Sequence, residues 1–232
     1  MTSDQIQIIL QVLDQVLGAF VKAIPQNSSY SRQMADAYHN YKREFGKPEP
    51  EKSFVIGVCL LAAGKLNTAR EALQDALGYF QLNLYKADDP VSRCYEYLVW
   101  TYASHLREHP EDAVRNISID DMESAIAHFQ SRLQKLANEK ETLEKAKSLT
   151  DYEIKYKLKG IEAEKRSNSY LYAMANEAAV RWMRANEDPS IRGRTDRNTR
   201  EECFRKAKKF YEDAGCTPDW FNRLRIAERE DD

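Results

Sequence analysis

The sequence predicts an all-α protein built from antiparallel helical hairpins. Apolar residues recur at steps of three and four in nearly every segment, and no sustained period-two alternation marks a strand. The 8 glycines and 7 prolines among 232 residues fall mostly at the ends of those segments. Between them stand residues that suit helix starts and stops.

The first helix is expected over about 4–24. Ser3 caps it, Pro25 closes it, and Ile6, Ile9, Leu10, Leu13, Val16, Leu17, Phe20 and Val21 form its apolar stripe. The second spans about 29–45, with Tyr30, Met34, Ala37, Tyr38 and Tyr41 inward and Gly46 as its stop. A third begins at Pro50 and Glu51 and reaches Ala63 before Gly64; a fourth, capped by Asn67, runs to about Lys86. Asp89 and Pro90 open the fifth, which ends before Pro110, and residues 111–117 add a short turn.

After Ser118, acids at 120, 121 and 123 complement the helix dipole of a long charged helix. Its narrow seam, Met122, Ile126, Phe129, Leu133, Leu136 and Leu143, gives it a coiled-coil-like character, against which stands Lys140 in a seam position. Thr150 and Glu153 form a capping-box pattern that suits a break near Ser148, and one continuous helix to Arg166 stands equally as the alternative. Further helices are expected over 169–186, 198–214 (stopped by Gly215) and from Thr217–Pro218 to about Ala227. The organisation is therefore N-terminal hairpins over 1–118, a long hairpin over 119–187, a basic loop at 188–198 and a C-terminal hairpin over 199–232.

Composition limits the function classes. Apolar residues make up 42%, and the 24 aromatics (13 Tyr, 8 Phe, 3 Trp) suit a packed core. The charge is balanced, 35 basic against 37 acidic, so its sum points to no polyanionic partner. Cys59, Cys94, Cys203 and Cys216 share no short spacing, which suits a reducing compartment rather than a disulfide framework. No secretory leader or membrane span is visible, and the expected location is the cytoplasm.

Residues 54–80 carry the most specific pattern. Ile56-Gly57 and Leu60 occupy one helix, Gly64 the turn, and Ala69, Leu73 and Ala76 the next helix. This segment resembles a tetratricopeptide repeat, with Ser53 in place of the large opening residue and Gln81 in place of the closing proline. A looser echo lies at Ala125, Phe129 and Leu133. The resemblance implies peptide or protein binding in a groove between stacked helices, a generic helical bundle being the alternative arrangement.

A second signal is IRGRTDRNTR, in which Arg192, Arg194, Arg197 and Arg200 face a single acid, Asp196. Residues 181–209 hold ten basic and five acidic side chains. Guanidinium forks suit phosphates, so these four arginines are the candidate nucleic-acid contacts. A solvated loop paired to Glu187, Asp188, Glu201 and Glu202 is the other reading.

Enzymatic constellations are sparse. His105 and His109 have metal-sharing spacing but no third ligand. Arg32 and His39 resemble the arginine–histidine pair of the ribonucleases called higher eukaryote and prokaryote nucleotide-binding domains, with Gln33 after the arginine. Glu141 and Glu144 have the spacing of all-helical nucleotide pyrophosphatases, without a matching second pair. No phosphate loop, cofactor motif or nucleophile elbow is present. The expectation is a non-enzymatic scaffold that binds a protein or peptide. Nucleic-acid binding and an RNA- or nucleotide-acting enzyme are the rivals, and self-association through the helix at 120–147 is a further possibility.

Overall fold

The computed structural model describes His39, Arg43 and residues 50–83, 88–146, 149–186 and 197–230. Every element among them is helical, and no strand occurs. The helices expected at 4–24 and 29–45 lie outside the described residues, apart from His39 and Arg43, both helical. The elements are α1 (Pro50–Ala62), α2 (Leu66–Asn83), α3 (Asp88–Glu108), α4 (Pro110–Asn116), α5 (Ile119–Glu144), α6 (Asp151–Ala185), α7 (Arg197–Asp213) and α8 (Asp219–Glu230). The chain divides into two units, Met1–His105 and Leu106–Asp232.

In the first unit, Gly57 lets α1 and α2 touch. A methyl group at this position would lie 2.6 Å from Leu73 Cγ and 3.2 Å from the Ala69 carbonyl oxygen. Gly64 ends α1 in the left-handed region (φ 71°). Its N–H donates to Leu61 O (3.0 Å) and that of Lys65 to Leu60 O (2.9 Å), which is a Schellman stop. The turn is so tight that α2 begins at Leu66 with Lys65 in the cap position, so Asn67 lies inside the helix rather than before it. Phe54 meets Tyr97 of α3 edge-on, with ring centroids 5.6 Å apart. Gln81 of α2 donates to the Tyr95 hydroxyl at 3.1 Å. Phe54, Leu60, Leu73, Phe80, Leu98 and Tyr102 form the buried centre.

The second unit is organised on α6, which packs along both α5 and α7. The chain breaks between α5 and α6, which decides between the two arrangements left open by the sequence. Ser118 and Asp121 close a reciprocal cap on α5, and Thr150 and Glu153 another on α6. The expected start at Ser169 is corrected: α6 runs unbroken for 35 residues through Ser167-Asn168-Ser169. Those polar residues suggest a boundary, but Asn168 Nδ2 donates back to the Glu164 carbonyl at 2.9 Å and Ser169 is buried, so neither interrupts the helix.

The far half of the α5–α6 pair is a two-helix layer. Its core is Leu136, Leu143 and Ile161, flanked by Leu149, Ile154 and Leu158. Burying each large aliphatic side chain contributes about 1.5–3 kcal/mol, enough to hold two helices together along a single seam. Lys140, which interrupts that seam, reaches across to Glu162 (Nζ to Oε1, 3.1 Å), and Arg132 pairs with Glu164. The apolar seam of α5 is thus covered by α6 of the same chain.

The α6 cap yields a pH prediction. Hydrogen bonds from Thr150 hold the Glu153 carboxyl below the usual carboxylate range. Because the folded state favours the ionised form, this contribution is complete above the ordinary carboxylate pKa and is lost as pH falls through the depressed folded value. Glu153→Gln is therefore expected to lower the midpoint of urea unfolding at pH 7. Its deficit should vanish at pH 2–3. An equal deficit at both pH values would contradict the assignment.

Candidate functional site

Two features of the second unit have the make-up of a site. The first is buried. Glu177 is the single acid in the apolar stretch YLYAMANEAAV of α6, and it is fully buried. Arg181, one turn on, donates from Nε to Glu177 Oε1 at 2.7 Å. Tyr211 of α7 donates its hydroxyl to Oε2 at 2.7 Å, and Trp220 of α8 donates its indole N–H to the same oxygen at 3.2 Å. Arg181 Nη2 also donates to the Trp220 carbonyl at 3.2 Å, and the Arg107 guanidinium lies 4.3 Å from the Trp220 ring centroid.

Burial, followed by the charge and hydrogen bond of Glu177, pushes the Tyr211 hydroxyl far above its ordinary range, so it stays a proton donor. Tyr170, edge-on to Tyr211 at 5.3 Å, is also raised, by burial and by the neighbouring Cys216 and Glu177. The carboxylate accepts donors from three helices. A buried charge satisfied in this way locks helices together; it offers no open position to a substrate. Sequence reading missed Glu177, although a lone acid amid alanines on the inward side of a helix was a visible signal.

The second feature is exposed. The residues of α6 that face α5 are Ile154, Leu158 and Ile161. On the opposite side Tyr152, Lys155, Tyr156, Lys159, Gly160, Ala163, Arg166 and Ser167 succeed one another at helical spacing, and all are exposed. Tyr152 and Tyr156 are 78% and 72% exposed, more than any other large hydrophobic side chain among the described residues. Three acids of this segment are engaged, Glu153 in the cap, Glu162 on Lys140 with Arg166 also near it, and Glu164 on Arg132, while Asp151 is exposed in the first turn. The outer side of α5 differs. A shallow trough of about 560 Å³ there is lined by Ala127, Gln130, Ser131, Gln134, Lys135 and Asn138, all on that one helix.

The residues singled out from sequence are not brought together. Arg192 and Arg194 lie outside the described residues, only the backbone of Arg197 is described, and Arg200 is half-buried on α7. Arg32 is also outside, while His39 Nδ1 stands 4.0 Å from the Glu71 carboxylate. His105 is buried, whereas His109 lies beyond the end of α3 and is exposed, so the two do not share a helix face. Glu141 is exposed and paired with Lys145. No group of three or more His, Cys, Asp or Glu able to hold a metal occurs among the described residues. All four cysteines are free thiols, and burial raises those of Cys59 and Cys94.

Compared with protein-family models, curated protein sequences and solved structures, the chain has no match.

Proposed function

We propose that this chain is a non-enzymatic scaffold that binds a protein or peptide partner on its exposed helical surface. The observation that carries this reading is the outer side of α6, where two tyrosines are left almost fully exposed on a helix whose apolar seam is already covered by α5. Tyrosine is enriched in protein interfaces because it offers a large rigid surface with a polar tip. The close approach of α1 and α2 at Gly57 supports the tetratricopeptide-like reading of residues 54–80, which implies the same kind of work. The free thiols suit a reducing compartment, and we place the protein in the cytoplasm.

The test is affinity purification of the full chain from its native cells. A partner in stoichiometric amount is expected with the wild-type chain and is expected to be lost with Tyr152→Ala/Tyr156→Ala. Recovery of the wild-type chain with no retained protein would contradict the reading.

A further inference from the structure

We propose that the outer face of the first half of α6 docks an acidic protein segment, with Tyr152 and Tyr156 as apolar anchors and Lys155, Lys159 and Arg166 as partners for carboxylates. The proposal rests on the scaffold reading and adds the chemistry of the partner. The tyrosines stand one turn apart on the same side of the helix, and both are exposed. Tyrosine fixes few torsions when it docks, so such anchors lose little conformational entropy on binding.

Charge selects the partner. Residues 151–167 hold five basic and four acidic side chains, and three of the acids are drawn off this face, while Asp151 stays exposed one turn before Lys155. Glu153 closes the cap, while Glu162 and Glu164 cross to α5. The face they leave is aromatic and carries Lys155, Lys159 and Arg166 against the single acid Asp151, a basic excess that is complementary to an acidic surface. The chain as a whole carries a net charge of −2, so the positive field is local and fades within about 8–10 Å. A short acidic segment lies inside that reach, whereas an extended nucleic-acid backbone runs beyond it.

Gly160 adds an independent indication. It lies inside α6 beside Tyr156 and Ala163, and a methyl group there would meet no atom within 4 Å. Glycine in a helix interior costs about 0.5–1 kcal/mol relative to alanine, and no internal packing requires it here. On this face it leaves a low place one turn beyond Tyr156 where a partner's main chain approaches.

The experiment is a peptide-display selection of random sequences against the full wild-type chain. The enriched peptides are then titrated by fluorescence anisotropy against wild type, Tyr152→Ala/Tyr156→Ala and Lys159→Glu/Arg166→Glu. Circular dichroism verifies that each variant is folded, as expected for substitutions at exposed positions. Enriched peptides are expected to be rich in Asp and Glu, and their affinity to fall about tenfold or more in either double variant and with added salt. Peptides without acidic bias, or equal binding to the charge-reversed chain, would overturn the proposal. So would tighter binding of a mixed-sequence single-stranded oligonucleotide through the same residues. Affinity purification with the charge-reversed chain separates the two levels of the argument. A native partner that wild type and Lys159→Glu/Arg166→Glu hold equally overturns this docking face but leaves the scaffold reading standing. If wild type holds none, both fall.

Discussion

Glu177→Ala is expected to destabilise the second unit by about 3–5 kcal/mol, the usual cost of breaking a buried ion pair by removing one partner. The carboxylate is fully buried and accepts from Arg181, Tyr211 and Trp220, which belong to three helices. Truncation leaves the buried tyrosine hydroxyl and the indole N–H of half-buried Trp220 without their acceptor and strands the partly exposed guanidinium of Arg181. Tyr211→Phe removes one donor to a charged group and is expected to cost less, about 1.5–3 kcal/mol. Because Tyr211 and Glu177 share one hydrogen bond, the double variant is expected to lose less than the sum of the two singles. Urea unfolding followed by tryptophan emission suits this test, since Trp220 belongs to the network and reports its opening directly. A loss below about 1 kcal/mol for Glu177→Ala would mean that the site admits water and is not the lock described here.

The second large effect comes from a pair of glycines whose alanine variants should move stability in opposite directions. Gly57→Ala places a methyl carbon 2.6 Å from Leu73 Cγ, closer than side-chain carbons pack, with the Ala69 carbonyl oxygen 3.2 Å away. Overpacking of this kind costs about 1–3 kcal/mol, against the up to about 1 kcal/mol that alanine returns as a better helix former. Gly160→Ala meets no neighbour in α6, so only the helix gain remains and stability should rise by about 0.5–1 kcal/mol. Thermal and urea unfolding of both variants decides the matter. A destabilised Gly160→Ala or a stabilised Gly57→Ala would contradict the packing assigned to that helix.

These contrasts show which kinds of information the chain wrote locally. The all-α class, the Gly64 and Gly215 stops, the cap at Thr150 and the close approach at Gly57 were all legible, because each depends on a few neighbouring residues and a short-range steric or hydrogen-bonding rule. The continuity of α6 was not. Ser167-Asn168-Ser169 has the composition of a boundary, and only the back-bonding of Asn168 and the burial of Ser169 against the rest of the unit keep it helical. Lys140 read as a fault in the seam until Glu162, on another helix, supplied its partner.

The candidate sites divide in the same way. Glu177 gathers donors from positions 181, 211 and 220, and no local pattern links the latter two to it. Its isolation among alanines was nonetheless visible. The outer face of α6 depends on knowing which side α5 covers; before that, Tyr152 and Tyr156 pass as ordinary helix residues. His105 and His109 fail as a pair because the helix between them ends at Glu108, so spacing by four no longer means a shared face.

Zero-length carbodiimide crosslinking of the chain in native extract, which activates carboxyl groups and joins them to lysine amines as amides, tests the central claim most directly when read by peptide mass spectrometry. The account predicts crosslinks from Lys155 and Lys159 to acidic stretches of another protein. Crosslinks from these lysines only to residues of their own chain would contradict it.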